Sequence, residues 1–253
     1  SRADRMRQFE LEQDAWVIAP HQDDEVLSCG GTIMRKLAHG ATIRVVFVTD
    51  GASSHQHPNG KEALRKERRE EAVSACRVLG IPATNLVFLD LPDGRLSENI
   101  SQATQALANI LRDHSVEQIF MPFRHDEHPD HIATHMITAA ALDTLNSPFV
   151  RWEYGTWLWN HWPWVPLRKG SLQSKLGFAK YSVELSMHLL RHFRYSVDVS
   201  EYVKEKRQAL YEHRSQLKQR AGSQAWMTLE DVSDGEWLDC FFRSHEFFCR
   251  KQT

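Results

Sequence analysis

The chain has 253 residues, 42% hydrophobic and 25% charged, with a formal net charge of −2. That composition is ordinary for a globular protein, and the length suits one large domain with a sizeable core. The near-neutral charge excludes a global basic field for nucleic acid or an anionic membrane, and no apolar run approaches the ~18 residues that span a bilayer.

The N-terminal segment SRADRMRQFELEQD is charged and carries no leader-like apolar core. The first strand is AWVIA (15–19), followed by a helical pattern from about Val26 to His39. The segment TIRVVFVTD (42–50) is β-branched and apolar throughout, as a strand covered on both faces must be. A charged helix runs from about Gly60 to Leu79 and stops at Gly80-Ile81-Pro82. Its alternating acids and bases read as a solvated face rather than a basic patch. Then come a third strand, NLVFLD (85–90), a helix in SENISQATQALANILRDH, a fourth strand, VEQIFMP (116–122), and a helix from His131 to Leu145.

Beyond about residue 150 the rhythm breaks. Trp152, Trp157, Trp159, Trp162 and Trp164 crowd one segment, a polar helix follows near 201–220, and CFFRSHEFFCR forms an aromatic tail. Most of these tryptophans are expected to be structural, with one or two facing a crevice where an indole can stack on a sugar ring. The four cysteines show no CxxC spacing, so the expectation is reduced, buried thiols in a cytoplasmic protein.

The strand–helix alternation predicts an α/β fold: a Rossmann-like, doubly wound, mainly parallel sheet with a smaller C-terminal helical and aromatic lobe. Residues 1–253 read as one domain, with 15–150 as the α/β core and 151–253 as its elaboration. In such sheets the crevice lies outside the carboxyl ends of the strands. The polar clusters stand at those ends: HQDDE after the first strand, TDG after the second, LPDG after the third, RHDEHPDH after the fourth.

His21 and Asp24 lie at one strand end and His131 at another. Two imidazoles and a carboxylate with a position left open is how a catalytic Zn²⁺ is commonly held, and the cation compensates crowded acids. Fe²⁺ occupies similar donor sets. Asp23 is then free to take a proton as general base. His128 is expected to face the same crevice, positively charged, to stabilise an oxyanion or hand a proton to a leaving amine, with Asp130 orienting it. Arg124 and His125 either read an anionic or hydroxyl-rich group or are simply solvated. The competing readings are plainer: acids after a strand cap the next helix, and His55, His57, His114 and His135 are expected at the surface. A receiver-like Mg²⁺ module would need a Lys at the fourth or fifth strand end, where none stands.

The motifs PHQDDE and HPDH resemble the paired signatures of the PIG-L/LmbE-like zinc-dependent N-acetylglucosaminyl deacetylases. Arg68, Glu71, Ala75 and Leu79-Gly80 fit that family's R-x-x-E-x-x-x-A-x-x-x-L-G helix, and KRQALYEHRSQ (206–216) fits its K-x-x-A-L-x-x-H-x-S-Q segment. The resemblance implies ligands His21, Asp24 and His131, catalytic Asp23, His128 and Asp130, and sugar or phosphate contacts at Arg68 and Asp93. It implies removal of an acetyl group from an N-acetylglucosamine-type sugar or glycoconjugate. The alternative is a zinc amidase for a non-acetyl amide or a non-sugar amine. Gln22 stands where most of the family has Pro, which bears on loop stiffness rather than on the ligands. A small-molecule or glycoconjugate substrate is the expected partner, nucleic acid is not, and oligomeric state is left open.

Overall fold

The computed structural model describes residues 3–114, 117–145, 148–161, 163–165, 183, 186–187, 189–219 and 226–252. It opens with a short strand, β1 (Asp4–Arg5), and a five-residue helix, α1 (Gln8–Glu12). The alternating section follows as β2 (Ala15–Ala19), α2 (Asp24–Ala38), β3 (Ile43–Thr49), α3 (Lys61–Leu79), β4 (Leu86–Leu91), α4 (Ile100–Arg112), β5 (Gln118–Pro122) and α5 (Pro129–Leu142). The last part supplies β6 (Val150–Tyr154), β7 (Tyr195–Asp198), α6 (Val203–Glu212), α7 (Arg214–Leu217), α8 (Glu236–Asp239) and β8 (His245–Gln252).

These strands form one sheet in the order β1-β7-β8-β6-β5-β2-β3-β4. The pairings are parallel except those of β8, which runs antiparallel to both β6 and β7. β2 is buried along its whole length because helices cover both faces. Val17 and Ala19 join an apolar cluster with α2, α3 and α6, while Trp16 and Ile18 join another with α4 and α5. Fully burying side chains of this size contributes ~1.5–3 kcal/mol each. α3 ends where Gly80 takes φ 92° and its N–H closes the last turn on Arg77 and Cys76, a left-handed cap that glycine adopts without a Cβ penalty.

The expected elements lie within a few residues of where periodicity puts them, but the aromatic C-terminal segments hold more strand than their sequence shows. β7 and β8 extend the sheet itself beyond β6. In HEFFCRKQ the inward Glu246 hides the alternation, because it is buried against Lys206 Nζ at 2.6 Å. The polar helix expected at 201–220 breaks at His213 (φ −79°, ψ 58°), and residue 220 lies outside the described residues. Cys29, Cys76 and Cys249 are buried and unpaired, and Cys240 is half-buried. No helix among the described residues is long and apolar enough to cross a membrane.

The strand order determines where a site can form. From β2 the chain moves outward to β3 and β4, then returns to the opposite side of β2 to lay down β5 and β6. At that reversal the loops after β2 and β5 splay apart and leave a crevice.

Candidate metal centre and catalytic crevice

The loop after β2 carries His21 to Asp24 into this crevice. Asp24 opens α2, and its Oδ2 accepts the His21 backbone N–H at 3.1 Å. The same oxygen lies 3.3 Å from His21 Nδ1 and 3.2 Å from His131 Nε2. Asp23, at the N-cap position, makes no side-chain capping bond. Gln22 is buried and donates from Nε2 to Thr49 O at 2.8 Å, tying the ends of β2 and β3. Gly51 closes over it at φ 64°, where a Cβ would lie 2.3 Å from Gln22 Oε1.

The loop after β5 supplies the other wall. Pro129 starts α5 with His128 as N-cap, and the Asp130 N–H donates to His128 Nδ1 at 3.3 Å. His131 is fully buried, with Nδ1 3.0 Å from Asp126 Oδ2. Asp126 also accepts the N–H groups of Thr156 and Trp157, each at 3.0 Å. On the other imidazole, His21 Nε2 lies 3.3 Å from Asp93 Oδ1 and 3.3 Å from Asp130 Oδ2.

The electrostatics favour a cation. Asp23, Asp24, Asp93, Asp126 and Asp130 converge against Arg68, the only Lys or Arg among the described residues lining the crevice. Burial pushes Asp23 up to about 6, with Arg68 opposing and Asp24 adding to the rise. Burial also resists the charge on His131, but Asp24 and Asp126 outweigh it and raise the imidazole to about 9. Burial and the neighbouring His21 and His131 hold His128 down at about 4.

His131 Nε2 is buried without a well-aligned hydrogen-bond partner among the described residues, although Asp24 Oδ2 lies 3.2 Å in front of it. An unsatisfied imidazole nitrogen, a second imidazole and a shared carboxylate fit a divalent metal, with Asp126 and Asp130 fixing the rings from behind. Ring nitrogens of His21, His128 and His131 all lie within 4.8 Å of one another, as do ligand atoms of His21, Asp93 and Asp130.

Three expectations need correction. The Asp130 carboxylate faces His21 and accepts the Gly94 and Leu96 N–H groups; it meets His128 only through its backbone. His128 faces the crevice with Nδ1 accepting the Asp130 N–H, and burial opposes the positive charge expected of it. Arg124 is exposed and does not line the crevice; its charge is felt instead by His135 on α5 and Glu153 on β6.

Arg68 and Asp93 do line the crevice, but both are engaged with the protein. Arg68 donates to Gln22 O at 2.6 Å, Gly51 O at 3.1 Å and Asp23 Oδ2 at 3.3 Å. Asp93 accepts the Ser53 N–H at 2.8 Å. Of the histidines expected at the surface, His114 is exposed, whereas His135 bonds Pro122 O and His57 faces Glu67.

The crevice has a cavity volume of about 390 Å³ and is partly open to solvent. Of the crowded tryptophans among the described residues, Trp157 alone lines it, between His128 at 6.0 Å and Trp237 at 4.8 Å. Trp152 is core, Trp159 and Trp164 pack together, and Trp162 lies outside the described residues. Gln216, Leu229 and Val232 complete the far wall from the C-terminal part.

Residues 16–142 match the family model of PIG-L, described as GlcNAc-PI de-N-acetylase. Over 146 residues the chain is 27% identical to the uncharacterized deacetylase YaiS of Escherichia coli K12, covering 56% of this chain and 74% of that one. It is 27% identical over 163 residues to a 1D-myo-inositol 2-acetamido-2-deoxy-alpha-D-glucopyranoside deacetylase of Mycobacterium sp. KMS, covering 55% of this chain and about half (51%) of that relative. The fold is similar to that of N,N'-diacetylchitobiose deacetylase from Pyrococcus horikoshii, with TM-score 0.64, 20% identity and coverage of 95% and 84%.

Proposed function

The chain belongs to the GlcNAc-PI de-N-acetylase (PIG-L) family, and from that membership we propose that it hydrolyses the acetamide of an N-acetylglucosamine-type sugar or glycoconjugate. The observation that carries the reading is the pair of buried imidazoles, His21 and His131, that share the Asp24 carboxylate and are each backed by another acid.

His21, Asp24 and His131 would hold the metal, Zn²⁺ in this reading and Fe²⁺ as the other candidate. When bound, the metal polarises the amide carbonyl and makes a water acidic enough to attack near neutral pH. Asp23 receives the proton of that water, because it stands beside Asp24 with its carboxylate uncommitted to the helix. His128, its Nδ1 occupied by the Asp130 amide, keeps its proton on Nε2 and donates it as a hydrogen bond to the developing oxyanion. Asp23 then passes its proton to the departing amine, giving acetate and the free amino sugar. Trp157 offers an indole face to the sugar, and Asp93 a hydroxyl acceptor at the rim.

In this reading residues 1–253 act as one cytoplasmic catalytic domain whose C-terminal part finishes the crevice. The test is metal analysis followed by acetate release from N-acetylglucosamine, N,N'-diacetylchitobiose and related conjugates. The expected result is one divalent metal per chain and acetate in step with free amine. Metal without acetate from any of these sugars turns the assignment toward a non-acetyl amide.

A further inference from the structure

Asp23 holds a backbone conformation that side-chain-bearing residues rarely adopt, with φ 140° and ψ −26°. Such a conformation persists only where neighbouring contacts over-determine it. Its N–H donates to Glu25 Oε2 at 3.0 Å, and Glu25 Oε1 lies 3.0 Å from His213 Nε2. Both Glu25 and His213 are fully buried. Among the described residues His213 Nδ1 has no hydrogen-bond partner, and Glu25 is the polar contact of the ring's other nitrogen. The imidazole is itself placed by the chain break between α6 and α7, where Ser215 anchors on Glu71 through N–H at 2.8 Å and Oγ at 2.6 Å.

A plain capping contact does not explain this arrangement. An acid in the first turn of a helix does that work from the surface, without a buried histidine behind it. Burying a carboxylate beside Asp23 and Asp24 is unfavourable unless it is paired. The pairing comes from 188 residues further along the chain.

We propose that Glu25 and His213 are positioning residues for the hydrolysis, clamping the Asp23 amide so that its carboxylate faces the crevice instead of turning back to cap α2. This inference rests on Asp23 being the proton acceptor of the reaction. The pair does not touch substrate or metal; it acts through the geometry of one backbone bond.

The test compares wild type, Glu25→Ala, Glu25→Gln and His213→Ala by metal content, steady-state acetate release and crystal structures of the metal-loaded proteins. Glu25→Ala is expected to keep one metal per chain and a KM within about threefold, while kcat falls about 100-fold, the scale of a misplaced catalytic group. Glu25→Gln keeps an oxygen for the Asp23 amide and is expected to recover at least about tenfold of that loss, with His213→Ala falling in between. In the Glu25→Ala structure the Asp23 φ leaves the positive region. A folded Glu25→Ala with kcat within threefold of wild type, or a loss carried by KM, overturns the proposal. If Glu25→Ala does not fold, the other two variants decide: equal losses in both overturn it, and a smaller loss in Glu25→Gln supports it. If wild type releases no acetate, the deacetylase reading has failed separately, and the Asp23 backbone in the variant structures judges the clamp alone.

Discussion

The Asp126 carboxylate lies 3.0 Å from His131 Nδ1, both side chains fully enclosed, and leaves the opposite ring nitrogen facing Asp24. A carboxylate in this place fixes the tautomer and raises the basicity of the nitrogen that would meet the metal. Asp126→Asn is therefore expected to weaken metal affinity about tenfold to hundredfold while the protein stays folded. Competition with a zinc chelator measures it, and an unchanged dissociation constant counts against the assigned ligand set.

Asp23 and Asp24 are adjacent in sequence but have separate tasks in the proposed mechanism. Asp23→Asn is expected to retain one metal per chain and to lose about 100-fold to 10,000-fold in kcat, the range for removal of a general base. Loss of the metal instead would show that the two acids had been assigned the wrong way round.

Trp157 is the half-buried indole that lines the crevice beside His128. Trp157→Ala is expected to raise KM about tenfold with kcat within about threefold, since ring stacking is worth about 1 kcal/mol beyond burial and is made equally to substrate and transition state. A fall in kcat at constant KM would place Trp157 in the chemistry rather than in binding.

Lys36 offers a pH test away from the site. Its ammonium is buried, donates to Glu10 O at 2.6 Å and Gln118 Oε1 at 2.9 Å, and burial lowers it from 10.5 to about 8. Below pH 8 both the folded and the unfolded chain carry the proton. Between about pH 8 and 10 the folded chain has released it and the unfolded chain has not, so this group adds stability as pH rises. Wild type is expected to gain on the order of 2–3 kcal/mol over Lys36→Met between pH 7 and pH 10. Urea denaturation of both proteins measures the gap, and a gap that does not change with pH contradicts the lowered value.

Local chemistry was legible wherever the acting residues were close in sequence. His21, Asp23 and Asp24 stand out because a buried strand such as Ala15–Ala19 rarely ends in so much charge. HPDH declares itself by Pro at the first turn of a helix with the proposed ligand His131 two residues beyond. The substrate contacts were less legible. A buried Arg68 and an exposed Arg124 look alike in one dimension, and only packing shows that one is spent on Gln22, Gly51 and Asp23 while the other is exposed and off the crevice lining.

By itself the sequence determined the α/β alternation and the strand ends at which polar groups collect, His21, Asp24 and His131 among them. Each of these follows from period, burial and residue type over a few neighbours. Tertiary structure decided which acid serves which imidazole: Asp126 behind His131, Asp130 and Asp93 behind His21, and Glu25 with His213 beneath Asp23. Those pairings join residues brought together by strand order and by the break between α6 and α7. Hydrogen bonds of about 3 Å depend on where backbones meet in space, and that distance is not written in the spacing along the chain.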